Sequence, residues 1–312
     1  MNPSSPKKLV FLWKIRLLFA EMVKRKQGDV GSLPEKKAGP VRFLNYISFP
    51  ALDAPLVAGL WWLLFTTAFG GEIHWATWSA LVSGVWAIYL CDRIFDSADF
   101  LDHAPPRKRF AAERRRMFVG LLPFPVLTAV VSAVFLPIEI WKQAPVVGFI
   151  TILYFIAYRW RTGAKYIPLK ELLIGLCFSA GVGIPFAYPP DPVRLSALVL
   201  FGVLCVVNCL LISRAESDFD RKFDASAWFA EAGRYFPFRP ILALTGVGVV
   251  VLQNLSLPVS IGISLLLTSV CLWLISLLDP EKSALDIQPL CDAAVWLPAV
   301  VGLLAESLPW IF

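Results

Sequence analysis

The chain has 312 residues, of which 57% are hydrophobic and 17% charged, and its mean hydropathy is +0.67. An ordinary soluble domain carries about 45–50% apolar and about 25% charged residues, so disorder, a coiled coil, a collagen-like chain and an ordinary soluble enzyme are excluded. What remains is an all-α, polytopic membrane protein. The net charge of +6 suits nucleic acid or anionic lipid equally until its placement is considered.

Residues 1–44 form a basic leading segment. Lys8 to Lys26 is apolar but interrupted by Lys14 and Arg16. A cleavable signal peptide has an uninterrupted apolar centre, so an amphipathic helix lying in the membrane interface is expected here. A linker rich in Gly, Pro and Lys follows over 27–40. Residues 45–312 are expected to form the transmembrane domain.

A helix needs about 20 mostly apolar residues to cross the bilayer core, and lipid cannot satisfy an open backbone. Nine such runs are read at 52–70, 77–96, 117–137, 144–160, 168–188, 193–213, 240–257, 258–278 and 290–309. With the N-terminus inside, 27 of the 29 Lys and Arg fall in inner segments, and only Lys142 and Arg194 stay outside. Positive charge stays on the cytoplasmic side, so the N-terminus is expected there and the C-terminus opposite. The basic balance then answers anionic inner-leaflet lipid, with no nucleic acid as partner. Trp61, Trp62, Trp75, Trp78, Trp141, Trp160 and Trp310 fall near the ends of these runs, where interface aromatics are expected. The six cysteines lie in or beside apolar runs without a CxxC pair and are read as packing residues. Only His74 and His103 are present, which argues against a zinc site.

Two acidic clusters stand out. One closes the second run, with Asp92, Asp96 and Asp99 at i, i+4 and i+7. The other follows the sixth run, with Glu216, Asp220 and Asp224 at i, i+4 and i+8. Each set shares one helix face, and both runs point inward, so the clusters emerge on one side of the membrane. Like charges at i, i+4 repel, and anions at helix C-termini oppose the macrodipole. Local rules broken twice are a mark of function. A divalent cation resolves both, because Mg²⁺ takes one or two carboxylates and completes its shell with substrate phosphate oxygens. The plainer reading is solvated caps or ion pairs such as Asp92 with Arg93.

The link between the fourth and fifth runs supplies Tyr158, Arg161 and Lys170 as candidate diphosphate contacts, with Arg159 and Lys165 read as positive-inside anchors. Lys170 falls near a helix N-terminus, which favours anions. Asn208 is helix glue or a ligand contact. Asp292 is an intramembrane functional acid or a helix cap. The basic run Arg107 to Arg109 and Arg114 to Arg116 reads mainly as lipid contact, with a lid over bound diphosphate as the other reading.

This pattern resembles the UbiA-type superfamily of intramembrane prenyltransferases, in particular proteins like 4-hydroxybenzoate polyprenyltransferase. Asp92-Arg93-Ile94-Phe95-Asp96 is similar to the family's first motif, with Ile88 where an Asn is usual. Glu216, Asp220 and Asp224 are similar to its second motif, with Glu in the first place, and Pro168 to Gly175 is similar to its fourth-to-fifth helix link. The resemblance implies nine helices around a central cavity and Mg²⁺ held by Asp92, Asp96, Glu216, Asp220 and Asp224. It implies prenyl transfer from an isoprenoid diphosphate to a small acceptor, aromatic, quinone-precursor or tetrapyrrole. Asp92, Asp96, Asp220 and Asp224 would then be catalytic, and Lys170, Arg161, Tyr158, Asn208 and Arg93 would bind substrate. Two other classes stand beside it. One is a non-catalytic relative acting as a membrane assembly module. The other is a transporter, for which the inverted repeat is not found.

Overall fold

The computed structural model describes residues 44, 47–48, 50–96, 106–159, 169–184, 191–217, 236–278 and 280–307, all within the compact unit Val41–Phe312. The segment expected to lie in the membrane interface falls outside the described residues. Among the described residues every regular element is helical: α1 (Asp53–Ala68), α2 (Trp75–Asp96), α3 (Pro106–Glu113), α4 (Arg115–Leu121), α5 (Pro123–Val134) and α6 (Ile138–Arg159). These are followed by α7 (Leu169–Gly183), α8 (Pro192–Ala215), α9 (Phe238–Gln253), α10 (Val259–Ser276) and α11 (Pro280–Ser307).

Among the described residues, five stretches are long and apolar enough to cross a membrane: Arg115–Val134, Ile138–Ile156, Pro192–Ala215, Val259–Ser276 and Ile287–Ser307. How their side chains are turned identifies the solvent. On α5, Phe124, Leu127, Val131 and Val134 are exposed in an i, i+3, i+7, i+10 stripe, while Ser132 is buried and donates to Ser79 Oγ of α2 at 3.1 Å. Apolar outside and polar inside is the reverse of a soluble helix. It suits a lipid surround, where a hydroxyl finds its only partner on a neighbouring helix. The protein is membrane-embedded.

Local chemistry explains where the helices depart from the expected runs. The third run breaks at Leu122, because Pro123 has no N–H to donate into the turn before it. Between α9 and α10, Leu257 N–H reaches back to Leu252 O at 3.0 Å around Ser256, which takes the left-handed conformation (φ 72°). Helix α11 begins ten residues before the apolar run, at Pro280, a residue suited to the first turn. Its first turns are polar, so hydropathy alone misses them.

Helices α1 and α8 hold the assembly together. Helix α1 packs against α2, α7, α10 and α11, and α8 against α7, α9, α10 and α11. Trp61 and Phe201 meet at their centre, rings 4.6 Å apart and both wholly buried. Trp61 and Trp62 are therefore core residues in the middle of α1, which corrects their reading as interface aromatics. The Trp61 indole keeps its N–H satisfied at this depth, because Nε1 donates to Val295 O of α11 at 2.9 Å. Helices α7 and α8 approach closely through Gly175, Ser179 and Gly202. A methyl group at Gly175 would collide with Val206 and the Gly202 carbonyl, the close small-residue contact that membrane helices favour.

Candidate functional site

Polar side chains from distant parts of the sequence converge at one end of the bundle: the start of α1, the end of α2, the first turn of α3, the ends of α6 and α8, and the start of α7. On α2, Asp92 is half-buried and its Oδ1 accepts the Tyr154 hydroxyl of α6 at 3.0 Å. Arg93, the next residue, is 2% exposed. A guanidinium this deep requires charged or hydrogen-bonding company, and Glu216 at the end of α8 lies within reach of its charge.

Glu216 is the junction. Its Oε2 lies 3.1 Å from Lys108 Nζ and its Oε1 3.6 Å from Arg107 Nη2, with the carboxylate side chain 10% exposed and both basic side chains 18% exposed. Burial alone would raise the Glu216 pKa. The charges of Arg107, Lys108 and Arg93, with the Lys108 hydrogen bond, outweigh burial and hold the carboxyl below its usual range. Helix α3 presents its basic turn there because Ala111, on the same face as Arg107 and Lys108, is 1% exposed against Leu90 of α2 and Phe118 of α4 and turns that face inward. Arg107 and Lys108 thus point inward rather than to lipid, while Arg109, Arg115 and Arg116 are exposed. The first two of that basic run correct the lipid-contact reading.

A second polar layer lies deeper. Asn208 precedes Glu216 by eight residues, about 12 Å along a helix, and donates from Nδ2 toward Asp292 Oδ1 of α11 at 3.5 Å. The charge of the Asp53 carboxyl at the start of α1 acts on Asp292. Asp53 is 4% exposed and also accepts the Ser48 hydroxyl at 3.3 Å. Asp292 sits three turns inside α11, so it does not cap that helix. The charge of Arg107, paired with Glu216 at 3.6 Å, also acts on Asp292.

Other expected residues fall around this centre. Lys170, in the first turn of α7, is half-buried, and its charge reaches Cys209 of α8. Its neighbour Glu171 accepts the Ser213 hydroxyl of α8 at 3.1 Å. Arg214 donates to the Ser276 carbonyl of α10 at 3.1 Å. Asp96 is the last residue of α2 and Tyr158 the last but one of α6, and their side chains lie outside the described residues. Arg161, Asp220 and Asp224 lie outside them altogether. Glu216, at the end of α8, is therefore joined directly to α3 through Arg107 and Lys108, and the charge of Arg93 on α2 acts on it. The sequence reading omitted Asp53, although an acid opening an apolar run is the signal that marked Asp292.

Among the described residues no group of three His, Cys, Asp or Glu gathers closely enough to hold a metal ion. Mg²⁺ does not need such a cage. One or two carboxylates and a phosphate-bearing substrate complete its shell, and Asp92 has a second oxygen beyond the one that accepts Tyr154. Glu216, expected as a metal ligand, spends both oxygens on Lys108 and Arg107 here.

No family model, curated protein or solved structure matches this chain.

Proposed function

We propose that the chain is a multi-pass membrane prenyltransferase of UbiA type, moving a prenyl group from an isoprenoid diphosphate to a small acceptor. In this reading nine segments cross the bilayer around a central cavity, with the N-terminus cytoplasmic and the basic residues against anionic inner-leaflet lipid. The observation that carries it is the cluster at the end of α8, where Arg107 and Lys108 hold the Glu216 carboxylate and the Arg93 charge acts on it. Three cations so placed suit a diphosphate.

Arg93, Arg107 and Lys108, with Lys170 and Arg161, bind the diphosphate oxygens. Negative charge grows on these oxygens as the bond to the prenyl carbon breaks, so fixed cations favour the transition state over the bound substrate. Asp92, Asp96, Asp220 and Asp224 would hold Mg²⁺, which would supply further neutralisation of the leaving group. Tyr154 holds the Asp92 carboxylate in one orientation. The apolar inner faces of the helices take the prenyl chain and keep water from the allylic carbon. The acceptor supplies the electron pair of the new bond and loses its proton to the departing diphosphate.

A second reading has one observation in its favour. Glu216 is already neutralised by two cations, as in a relative that has given up catalysis and serves as an assembly module.

The test is product formation by the purified full chain with Mg²⁺, labelled prenyl diphosphates and a panel of phenolic quinone precursors and tetrapyrroles. Transfer that falls by at least about 100-fold in Asp92→Ala supports the enzyme. Absence of product, together with no Mg²⁺-dependent stabilisation by any prenyl diphosphate, leaves the assembly module.

A further inference from the structure

Diphosphate competes with something already present. Arg107 and Lys108 face a carboxylate at 3.6 and 3.1 Å, and the Arg93 charge reaches the same group. A carboxylate that spends its two oxygens on two cations offers them the contacts that two phosphate oxygens would. Of the four residues, Glu216 alone is anionic, and it stands at the very end of α8, where the helix dipole favours cations. Without its basic neighbours an acid there is poorly placed, so the four residues are best understood as one unit.

We infer that Glu216 is a built-in counter-anion that occupies the Arg93, Arg107 and Lys108 site until a phosphate-bearing ligand displaces it. The inference deepens the diphosphate reading above and rests on it for the identity of the natural ligand. The displaced carboxylate stays close by, so bound ligand and Glu216 repel each other. Affinity for the ligand is reduced by the fraction of molecules in which Glu216 holds the site. Such a plug keeps the buried cations neutralised while the site is empty, and it weakens the hold on diphosphate, which must leave as a product.

No bond is made or broken in this exchange, so inorganic diphosphate without Mg²⁺ is a sufficient probe. The experiment measures its binding to the full chain in detergent at fixed ionic strength, for the natural sequence, Glu216→Gln, Lys108→Gln and the double variant. The expected result is about tenfold tighter binding by Glu216→Gln, the size of a single competing charge contact in a partly buried site, and weaker binding by Lys108→Gln. The gain from Glu216→Gln should shrink in the Lys108→Gln background, because the two residues act on one site. Unchanged binding by Glu216→Gln would make the ion pair structural only, and weaker binding would make Glu216 a direct ligand contact. Either result overturns the inference. Should Glu216→Gln not be recovered folded, Glu216→Asp keeps the charge and shortens its reach. A gain of about two- to threefold is then expected, and no gain counts against the plug. Tighter binding without prenyl transfer would remove the enzyme and keep the plug. Transfer without tighter binding would do the reverse.

Discussion

The two ends of the helix bundle use charge differently. At the end holding the start of α8, polar contacts are local in sequence. Asp191 accepts Val193 N–H at 2.9 Å and pairs with Arg194 at 3.2 Å, and Glu72 lies 3.7 Å from His74. At the end holding Glu216, contacts span long stretches of chain. Tyr154 reaches Asp92 across 62 residues, Ser213 reaches Glu171 across 42 and Asn208 reaches Asp292 across 84. The first kind finishes a helix and stays partly in water. The second kind fastens helices to one another where water is scarce. Scarce water makes a charge costly unless paired, so charges retained there point to use.

Glu216→Ala sharpens this contrast most. It strips the shared partner from two largely buried cations and should cost about 2–4 kcal/mol, read as a fall of the thermal midpoint on the order of 10 °C. The effect carries a pH signature. The Glu216 carboxyl is held below its usual range in the folded state, so its contribution is complete above the unfolded value of about 4.3. It is lost as pH falls through the lower folded value. The gap between natural sequence and variant should therefore be full at neutral pH and close only in acid. A gap that widened in acid would contradict the ion-pair arrangement. Tyr154→Phe comes next, at about 1–2 kcal/mol for the hydrogen bond to a charged acceptor, with the fold otherwise kept.

How much of this could be read from residues alone differs between backbone and side chains. Lipid forces every crossing segment to satisfy its own backbone, so the apolar runs announced helices such as α8 and α10 within a few residues. Alternation of direction along those runs also implied that Asp92 and Glu216 end on one side, and the charge of Arg93, next to Asp92, acts on Glu216. Facing was not legible. Arg107 and Lys108 look like the rest of their basic run, and only the packing of Ala111 turns them inward. Trp61 and Trp62 look like interface aromatics because apolar counting cannot tell a helix that faces lipid from one enclosed by four others. The polar first turns of α11 carry no hydropathic signal, so Asp292 was placed at a helix start when it lies well inside. Asp53 stands at the edge of an apolar run, where an acid looks like a boundary.

The smallest expected effect lies at the opposite end and decides whether the contrast is real. Asp191 has two roles, since Oδ1 caps α8 and Oδ2 meets Arg194. Losing a cap costs about 1 kcal/mol, whereas an ion pair between side chains 31% and 39% exposed is worth between about 0 and 1 kcal/mol and is screened by salt. Arg194→Gln should thus lower the thermal midpoint by little, and by nothing measurable in high salt. Asp191→Ala should keep most of its larger cost in that salt, because a cap within one helix turn is not a long-range charge effect. One feature could raise the Arg194 value: its guanidinium lies 4.9 Å from the Phe69 ring, a contact that salt screens less and that Gln does not replace. If Arg194→Gln nevertheless destabilised as much as Glu216→Ala, the two ends would be alike in energy. Burial of charge at the Glu216 end would then no longer distinguish a working site from an ordinary helix terminus.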